Sequence, residues 1–213
     1  MNSKEKVDEG RTHLKRIVLA THNRDKAREL QAILRETHID VLTLDDFPHI
    51  AEIPEDGMTL EENALKKART VFDATRVPAL ADDSGLEVHY LNMEPGVFSS
   101  RYSGPGATYE SNCKKLLEEL RGVPPRRRAA RFRCVLALVA SGVEKTVEGI
   151  CQGSITEETR GFHGFGYDPV FLPIGHRETL SEMGPEKKNR ISHRFDALQK
   201  IKPIIEAYMS RTG

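Results

Sequence analysis

The sequence predicts a mixed α/β fold, and two features of its apolar pattern carry that prediction. Strand-like apolar runs alternate with segments whose apolar residues recur at about 3.6 residues, the helical spacing. One long alternating stretch, followed by a turn and a second strand-like run, predicts an antiparallel hairpin. The 213 residues are enough for a substantial core, and no internal repeat or linker divides them.

Local signals in the first half of the chain predict two strands and two helices. Asn23 can cap the first helix, and Thr59 with Glu62 three residues later is a capping box that opens the second. The predicted elements are a strand at 16–20, a helix with Ala27, Leu30 and Leu34 inside, a strand at 39–44, an acidic loop at 47–57, and a helix with Ala64, Ala68, Val71 and Phe72 on its inner stripe.

Further along the chain, residues 79–82 and 86–90 are strand-like, and Ser84-Gly85 between them predicts a tight turn. The remaining predicted elements are a helix at 108–121, a hairpin of strands at 130–140 and 146–155 with its turn at Ser141-Gly142, and a last helix after Ser192 with Phe195, Leu198, Ile201, Ile205 and Tyr208 inside.

Composition limits the classes of function. The 32 basic and 32 acidic residues cancel, so no net charge attracts the chain to nucleic acid or to an anionic membrane. No apolar run approaches the roughly 20 residues of a membrane helix. Because both the charge balance and the apolar pattern argue against them, neither nucleic acid nor a membrane is an expected partner. Three scattered cysteines predict buried, reduced thiols in a cytoplasmic protein. Residues 1–15 are predicted to be a flexible extension, and residues 16–213 a single domain.

A polar segment between the first strand and the first helix is a candidate phosphate site. The free amides and the positive dipole end of a helix N-terminus bind anions. No Gly-x4-Gly-Lys pattern is present, so the segment is not a P-loop. Taken alone, it is also explained by an ordinary helix cap with a surface lysine. The segment comprises Thr21, His22, Asn23, Arg24, Asp25 and Lys26.

A pair of acids, Asp82-Asp83, follows the apolar residues 78–81 and is a candidate for metal binding and proton transfer. Carboxylates at the end of a buried strand are unfavourable unless they pair or bind a cation. Because neighbouring strand residues face opposite sides, one acid of the pair is expected to enter a site. Magnesium takes one or two carboxylates with substrate phosphates, and a further carboxylate can act as base toward water. Glu55, in the acidic loop, is the freer second acid, whereas Glu62 has a capping role.

Residues 161–169 form a glycine-rich aromatic loop, and a basic segment opens the last helix. Glycines next to Phe165 would let its ring approach a flat ligand, and stacking of a base is worth roughly 1–3 kcal/mol. A core position suits Tyr167 better. A cationic His193-Arg194 pair in a first helical turn opposes the helix dipole, and an anionic or oxo-bearing ligand would explain it.

Taken together, these segments resemble the non-standard purine nucleoside triphosphate pyrophosphatases, the inosine/xanthosine triphosphate family. The resemblance covers residues 17–198, nearly the whole chain. His22 departs from it, since the family has a small residue there, and Pro54 stands where many relatives carry another acid. The segments that carry the resemblance, in the family's order, are residues 20–23 (Ala-Thr-His-Asn), 61–64 (Glu-Glu-Asn-Ala), 81–86 (Ala-Asp-Asp-Ser-Gly-Leu), 95–102, 164–169 and 191–194 (Ile-Ser-His-Arg).

The resemblance implies an elongated mixed β-sheet flanked by helices, with two lobes and the active site in the cleft between them. It implies a magnesium-dependent homodimer that cuts ITP, dITP and XTP between the α and β phosphates. On that pattern Asp83 is the general base and a metal ligand, and Glu55 is a second metal ligand. The implied substrate-binding residues are Thr21, Asn23, Lys26 and Ser84 for the triphosphate, Phe165 for the base, Asp168, Lys188, His193 and Arg194 for the rest of the pocket, and the adjacent His22, Arg24, Asp25, Gly166 and Tyr167.

Two alternatives stay open at this stage. A related nucleotide pyrophosphatase could prefer another base, such as a modified pyrimidine. A non-catalytic nucleotide- or RNA-binding module would show no effect of Asp83→Asn on its ligand behaviour, whereas the enzyme would lose turnover and keep binding.

Overall fold

The computed structural model describes residues 15–35 and 39–211, and strands and helices interleave there as predicted. The predicted extension, residues 1–15, falls outside the described part except for Lys15. The strands are β1 (Arg16–Leu19), β2 (Asp40–Leu42), β3 (Ala79–Val88), β4 (Ala129–Ala140), β5 (Val143–Ile155) and β6 (Phe171–Pro173). The α-helices are α1 (Arg24–Leu34), α2 (Leu60–Thr75), α3 (Tyr109–Glu119), α4 (Pro185–Lys188) and α5 (His193–Arg211).

The strands form one mixed sheet in the order β2-β1-β3-β4-β5-β6. β1 lies between β2 and β3 and is parallel to both. From β3 to β6 every neighbouring pair is antiparallel, and the predicted hairpin is the β4–β5 pair. Gly142 in its turn has a φ of 70°, a conformation that glycine adopts without strain. The predicted mixed α/β sheet is therefore confirmed.

Three groups of buried side chains hold the helices on the sheet. Alternate residues of β3 face opposite sides, so Leu80 and Ala81 belong to different groups. α1 and α5 cover one face of the sheet where β1 and β3 pair, and α2 covers the opposite face. α3 packs on the second half of β3. Representative members are Leu30, Leu80 and Ile201 in the first group, Ala64, Ala81 and Val135 in the second, and Leu86, Leu116 and Phe132 in the third.

The predicted tight turn at Ser84-Gly85 is wrong. β3 runs unbroken through ten residues and pairs with β4 at every position from Ala79 to Val88. Gly85 serves a different purpose there, because a Cβ on it would lie 2.2 Å from the carbonyl oxygen of Gly96. The glycine allows a second backbone segment to approach the strand, as glycines inside strands often do.

The capping box of α2 is only half formed. The Thr59 hydroxyl accepts a hydrogen bond from the backbone N–H of Glu62 at 3.1 Å, as predicted. The Glu62 carboxylate, however, accepts from the backbone N–H of Met58 at 2.7 Å, one residue before the cap. The second predicted strand is also shorter than expected, since β2 contains only three residues.

All three cysteines lie in the described part of the chain, where they are buried and free, as predicted. Across residues 15–35 and 39–211, no helix combines the length and the apolar character that crossing a bilayer requires.

The end of β1 leaves a crevice in the sheet. The last hydrogen bond between this segment and β3 is donated by the backbone N–H of Ala20, one residue after β1, to the carbonyl oxygen of Leu80 at 2.8 Å. Beyond Leu80, β3 keeps β4 on one side, and no strand among residues 15–35 and 39–211 pairs with it on the other. The N-terminus of α1 lies at this opening, which is the place where open α/β sheets usually bind ligands.

Candidate active site

The N-terminus of α1 is organised by two side chains of the predicted phosphate segment. The Asn23 Oδ1 atom accepts hydrogen bonds from the backbone N–H groups of Asp25 and Lys26, at 3.0 and 3.1 Å. The Thr21 hydroxyl accepts from the Asn23 N–H at 3.2 Å, which tightens the turn from β1 into the helix. The positive end of the helix dipole therefore points into the crevice beside β3.

The two acids of β3 have different surroundings. Asp82 is fully buried and accepts a hydrogen bond from Arg194 Nε at 3.1 Å. Asp83 lines a cavity that Lys26, Phe165 and Arg194 also line, and it accepts a hydrogen bond from the Asn63 side-chain amide at 3.0 Å. Lys26 lies between them, with its Nζ atom 3.5 Å from Asp82 and 3.8 Å from Asp83. One acid thus anchors the cations, and the other faces the cavity.

A second lysine, Lys67 of α2, joins the acids to the loop that carries Glu55. Its Nζ atom lies 2.5 Å from Glu55 Oε1, 3.6 Å from Asp83 Oδ1 and 2.6 Å from the backbone carbonyl oxygen of Asp82. Glu55 and Asp83 come from different elements and line the same cavity. The site therefore already holds a positive charge between two carboxylates.

The carboxylates titrate differently because their neighbours differ. Burial raises the pKa of Asp83, with a further contribution from Glu55, and Lys26 and Lys67 offset only part of it. Burial also raises the pKa of Glu55, but the nearby cations Lys67 and Lys26 outweigh burial and hold this pKa below the usual value. The pKa of Asp82 is far below its usual value, because Lys26, Arg194 and Lys67 outweigh full burial. Of these three acids, Asp83 is therefore the one whose pKa lies above the usual value for its residue type.

At the other end of the cavity, the Phe165 ring packs against two cationic side chains. Lys188 Nζ lies 4.6 Å and Arg194 Cζ 5.6 Å from the ring centroid, within the range of a cation–π interaction. Asp168 fixes the loop, since its carboxylate accepts from the Phe165 N–H at 2.8 Å and from Lys188 at 2.5 Å. The loop, the ring and its cations form one hydrogen-bonded unit.

Glu29 of α1 links this unit to the acid pair. Its carboxylate lies 2.5 Å from Lys188 Nζ and also accepts a hydrogen bond from Arg194. Arg194 in turn contacts Asp82 and donates to the Ser84 hydroxyl at 3.0 Å. Lys188 and Arg194 therefore each have a buried anion, Asp168 and Asp82, which is the condition for keeping charges inside a protein.

His193 differs from the expectation of a cationic pair. It is 4% exposed and stacks on Phe132, with ring centroids 4.7 Å apart and planes 11° apart. Burial, Arg194 and Lys188 all lower its pKa well below 6.5, so the ring is neutral at neutral pH. Its Nδ1 atom has no hydrogen-bond partner among the described residues, and the residue lines the cavity. Arg194 alone carries the positive charge of this pair.

The remaining predicted site residues are placed as follows. Gly166 and Tyr167 both line the cavity, and Tyr167 is otherwise buried and donates from its hydroxyl to the Ser99 carbonyl oxygen at 2.9 Å. His22 lies 3.3 Å from the Ala51 carbonyl oxygen, in an adjoining cavity of ≈ 620 Å³ that Asn23, Lys26 and Glu55 share. Arg24 is exposed and lies outside both of these cavities, and Asp25 contacts the site through the Tyr109 hydroxyl.

Lys67 and Glu29 received no role in the sequence analysis, although the sequence contains a signal for each. Lys67 lies on the inner stripe of α2, between Ala64 and Ala68, where a charged side chain needs a buried partner. Glu29 lies three residues after Lys26 and therefore on the same face of α1. Their partners are distant in sequence and could not be identified there.

Comparison with known proteins agrees with this geometry. The model of the Ham1 family matches residues 17–204. The chain belongs to the Ham1 family. The family resemblance that the motifs predicted is thereby confirmed.

Individual Ham1 relatives are similar over almost their whole length. A dITP/XTP pyrophosphatase of Bacillus licheniformis is 48% identical over 194 residues, covering 91% of this chain and 99% of that protein. A dITP/XTP pyrophosphatase of Bacillus subtilis is 45% identical, covering 91% and 98%. The structure of a HAM1 protein from Coxiella burnetii is 41% identical, with a TM-score of 0.82, and covers 91% of this chain and 100% of that one.

Proposed function

We propose that this chain hydrolyses the non-standard purine nucleoside triphosphates ITP, dITP and XTP to the monophosphate and pyrophosphate, which removes them from the nucleotide pool. The observation that supports this best is one cavity with two acids and a lysine at one end and an aromatic ring with two cations at the other. Those ends match the chemistry of a triphosphate and of a base. The names of the relatives support the substrate class.

The triphosphate is proposed to lie at the N-terminus of α1. Thr21, Asn23 and Lys26 are grouped there, and Ser84 faces the same cavity from β3. Lys26 carries its charge inside the protein because Asp82 and Asp83 outweigh the effect of burial and raise its pKa. A charged ammonium beside helix amides favours binding of phosphate oxygens.

Asp83 is proposed to be the general base. Its carboxylate faces the cavity, is held by Asn63, and has a pKa raised by burial, so it accepts a proton more readily than an ordinary aspartate. It would take a proton from the water that attacks the α–β phosphoanhydride. Lys26 and Lys67, whose Nζ atoms lie 3.8 and 3.6 Å from its Oδ1 atom, would balance the charge that develops on the phosphate oxygens.

Asp83 and Glu55 fit the needs of a magnesium ion. No three acidic, histidine or cysteine side chains are grouped as a metal site in the described part of the chain. Magnesium usually binds one or two carboxylates plus substrate phosphates, and these two acids already hold the Lys67 ammonium between them. Bound there, the ion would act as a Lewis acid on the phosphate oxygens. Magnesium thus remains a proposal that these donors support.

The base is proposed to stack on Phe165, where His193 and Arg194 supply polar contacts. A 6-oxo purine presents an acceptor at the position where adenine presents an amine. Arg194 is a permanent donor, and His193 has an unpartnered Nδ1 atom in a buried, neutral ring. An adenine amine would leave the Arg194 donor unpaired, and a site built for one hydrogen-bond pattern rejects the other.

The test is product release from ITP, XTP, GTP and ATP with magnesium, measured separately as pyrophosphate and orthophosphate. Pyrophosphate from ITP and XTP, with little from ATP, is expected. Asp83→Asn should lower kcat by roughly 10²–10⁴-fold, the usual contribution of a general base, while the variant still binds ITP. Asp73→Asn removes an exposed acid of α2 and is the matched control, with unchanged kcat expected.

Each opposite outcome has a definite meaning. Orthophosphate as the product, or equal turnover of ATP, would contradict the proposed reaction. ITP binding without turnover in the wild type would favour the non-catalytic binding module, and turnover of modified pyrimidine nucleotides would favour the related enzyme.

The family resemblance implies a homodimer and the cysteine pattern implies a cytoplasmic location, and both remain predictions for this chain. Light scattering during size-exclusion chromatography would measure the molar mass. A mass near twice 23.9 kDa is expected, and a monomer at the assay concentration would contradict it.

A further inference from the structure

Tyr109, the first residue of α3, reaches across the cavity to α1. Its hydroxyl oxygen lies 3.2 Å from the Asn23 side-chain amide and donates to Asp25 at 3.3 Å. Its ring lies 5.8 Å from the Phe165 ring, measured between centroids, with the planes tilted by 45°. The side chain lines the same cavity as Asp83 and Phe165 and is partly exposed. Its sequence position alone pointed to no role.

The contacts of Tyr109 mark the two ends of the nucleotide. Asn23 caps the helix at which the phosphates are proposed to bind, and Phe165 is the proposed platform for the base. In any nucleotide the pentose joins the base to the α-phosphate. Because Tyr109 contacts both Asn23 and Phe165, it borders the space that the pentose must occupy.

We propose that the ring of Tyr109 contacts the pentose of the substrate, an inference that rests on the proposed function. The hydroxyl group already bonds to Asn23 and Asp25, so the ring is the part that faces the cavity. An aromatic ring packs on the carbon atoms of a sugar and does not read its 2′-hydroxyl. Tyr109 accordingly strengthens binding of ribonucleotides and deoxyribonucleotides alike.

The test compares Tyr109→Ala and Tyr109→Phe, with KM and kcat measured for ITP and for dITP. Tyr109→Ala should raise KM roughly tenfold for both substrates, a loss typical of one aromatic stacking contact, with kcat changed less than KM. Tyr109→Phe keeps the ring and should stay close to the wild-type KM. Tyr90→Ala removes a tyrosine of similar exposure, 40% against 43%, that packs under Arg127, and it should have no effect.

Inorganic tripolyphosphate separates the pentose from the phosphates, because it has no sugar. Its inhibition constant against ITP hydrolysis should be the same in the wild type and in Tyr109→Ala. A raised inhibition constant would show that Tyr109 acts through Asn23 at the phosphate end, and it would overturn the proposal. An unchanged KM in Tyr109→Ala, or a Tyr109→Phe variant as impaired as Tyr109→Ala, would also overturn it.

The wild-type assay keeps this inference separate from the proposed function. If the wild type releases no pyrophosphate from ITP or dITP, the proposed function fails first. If the wild type does release pyrophosphate, and the Tyr109 variants have the same KM as the wild type, only the proposed pentose contact is wrong. Thermal unfolding midpoints of the variants exclude a simple loss of folding.

Discussion

At the scale of single residues, the site depends on buried charges that are balanced one against another. Glu29 is the clearest example, because its carboxylate contacts both Lys188 and Arg194. Burial would raise its pKa, but these two cations outweigh burial and lower it. Each cation also has a second partner, Asp168 for Lys188 and Asp82 for Arg194. Removing Glu29 therefore leaves each of these two buried cations with one carboxylate partner instead of two.

Glu29→Gln is expected to destabilise the protein by about 3 kcal/mol, the lower end of the range for breaking a buried ion pair, since both cations keep one partner. Urea unfolding at neutral pH measures the free energy of unfolding of the variant and of the wild type. The control is Glu178→Gln, which breaks an exposed pair with Lys187 and should change stability by about 1 kcal/mol or less. Equal effects of the two substitutions would contradict the role assigned to Glu29.

The difference between wild type and Glu29→Gln should also depend on pH. A carboxylate whose pKa is lowered on folding stabilises the native state above its unfolded pKa, here 4.5, and that contribution is lost as the pH falls through the lowered value. The difference should be full at neutral pH and shrink below pH 4.5. A difference that stays constant well below pH 4.5 would show that packing, not charge, is responsible.

Most of the cavity could be predicted at the residue scale, because Asp83, Phe165, Lys188 and Arg194 lie in short distinctive motifs. The roles of Glu29 and Lys67 could not be predicted, because the partners of each side chain are distant in sequence. The neutral state of His193 was not predictable either, because burial and nearby cations determine it and neither is visible in a sequence.

At the scale of the elements, β3 shows where local signals mislead. A Ser-Gly pair is a turn signal in sequence, yet Gly85 lies in an unbroken strand. Glycine also allows another backbone to approach, and only the fold shows which of the two is needed. Helices α1, α2, α3 and α5 and the β4–β5 hairpin were predictable from local signals, whereas the short helix α4 was not predicted. The parallel pairing of β1 with β3 was not, because the segments are distant in sequence and no local pattern specifies their contact.

Gly85→Ala is therefore expected to act on both stability and activity. The added Cβ would lie 2.2 Å from the Gly96 carbonyl oxygen, so one of the two backbones must move. Overpacking of this kind costs about 1–3 kcal/mol, and a shift of β3 would also displace Asp83 and Ser84. Urea unfolding and kcat for ITP measure the two effects. Gly184→Ala is the control, because nothing lies within 4 Å of its Cβ position. A Gly85→Ala variant with wild-type stability would contradict the close approach.

At the scale of the whole molecule, the long strands connect regions that helices cover separately. β4 and β5, of 12 and 13 residues, run from the group of buried residues that contains Leu30 to the group that contains Leu116. Leu136 belongs to the first group and Phe132 to the second, although both lie on β4. Neither region can therefore unfold without disturbing strands that the other shares.

This continuity predicts that the chain unfolds as one cooperative unit, as expected if the predicted single domain at residues 16–213 is correct. Leu30→Ala and Leu116→Ala each remove a fully buried side chain, and each should lower stability by about 2–5 kcal/mol. Because the strands are shared, either substitution should shift the whole transition and not split it. Calorimetry at fixed protein concentration tests this, with a calorimetric enthalpy equal to the van't Hoff enthalpy expected in both variants. Two transitions, with only one of them shifted by Leu116→Ala, would show instead that the two regions are separate folding units.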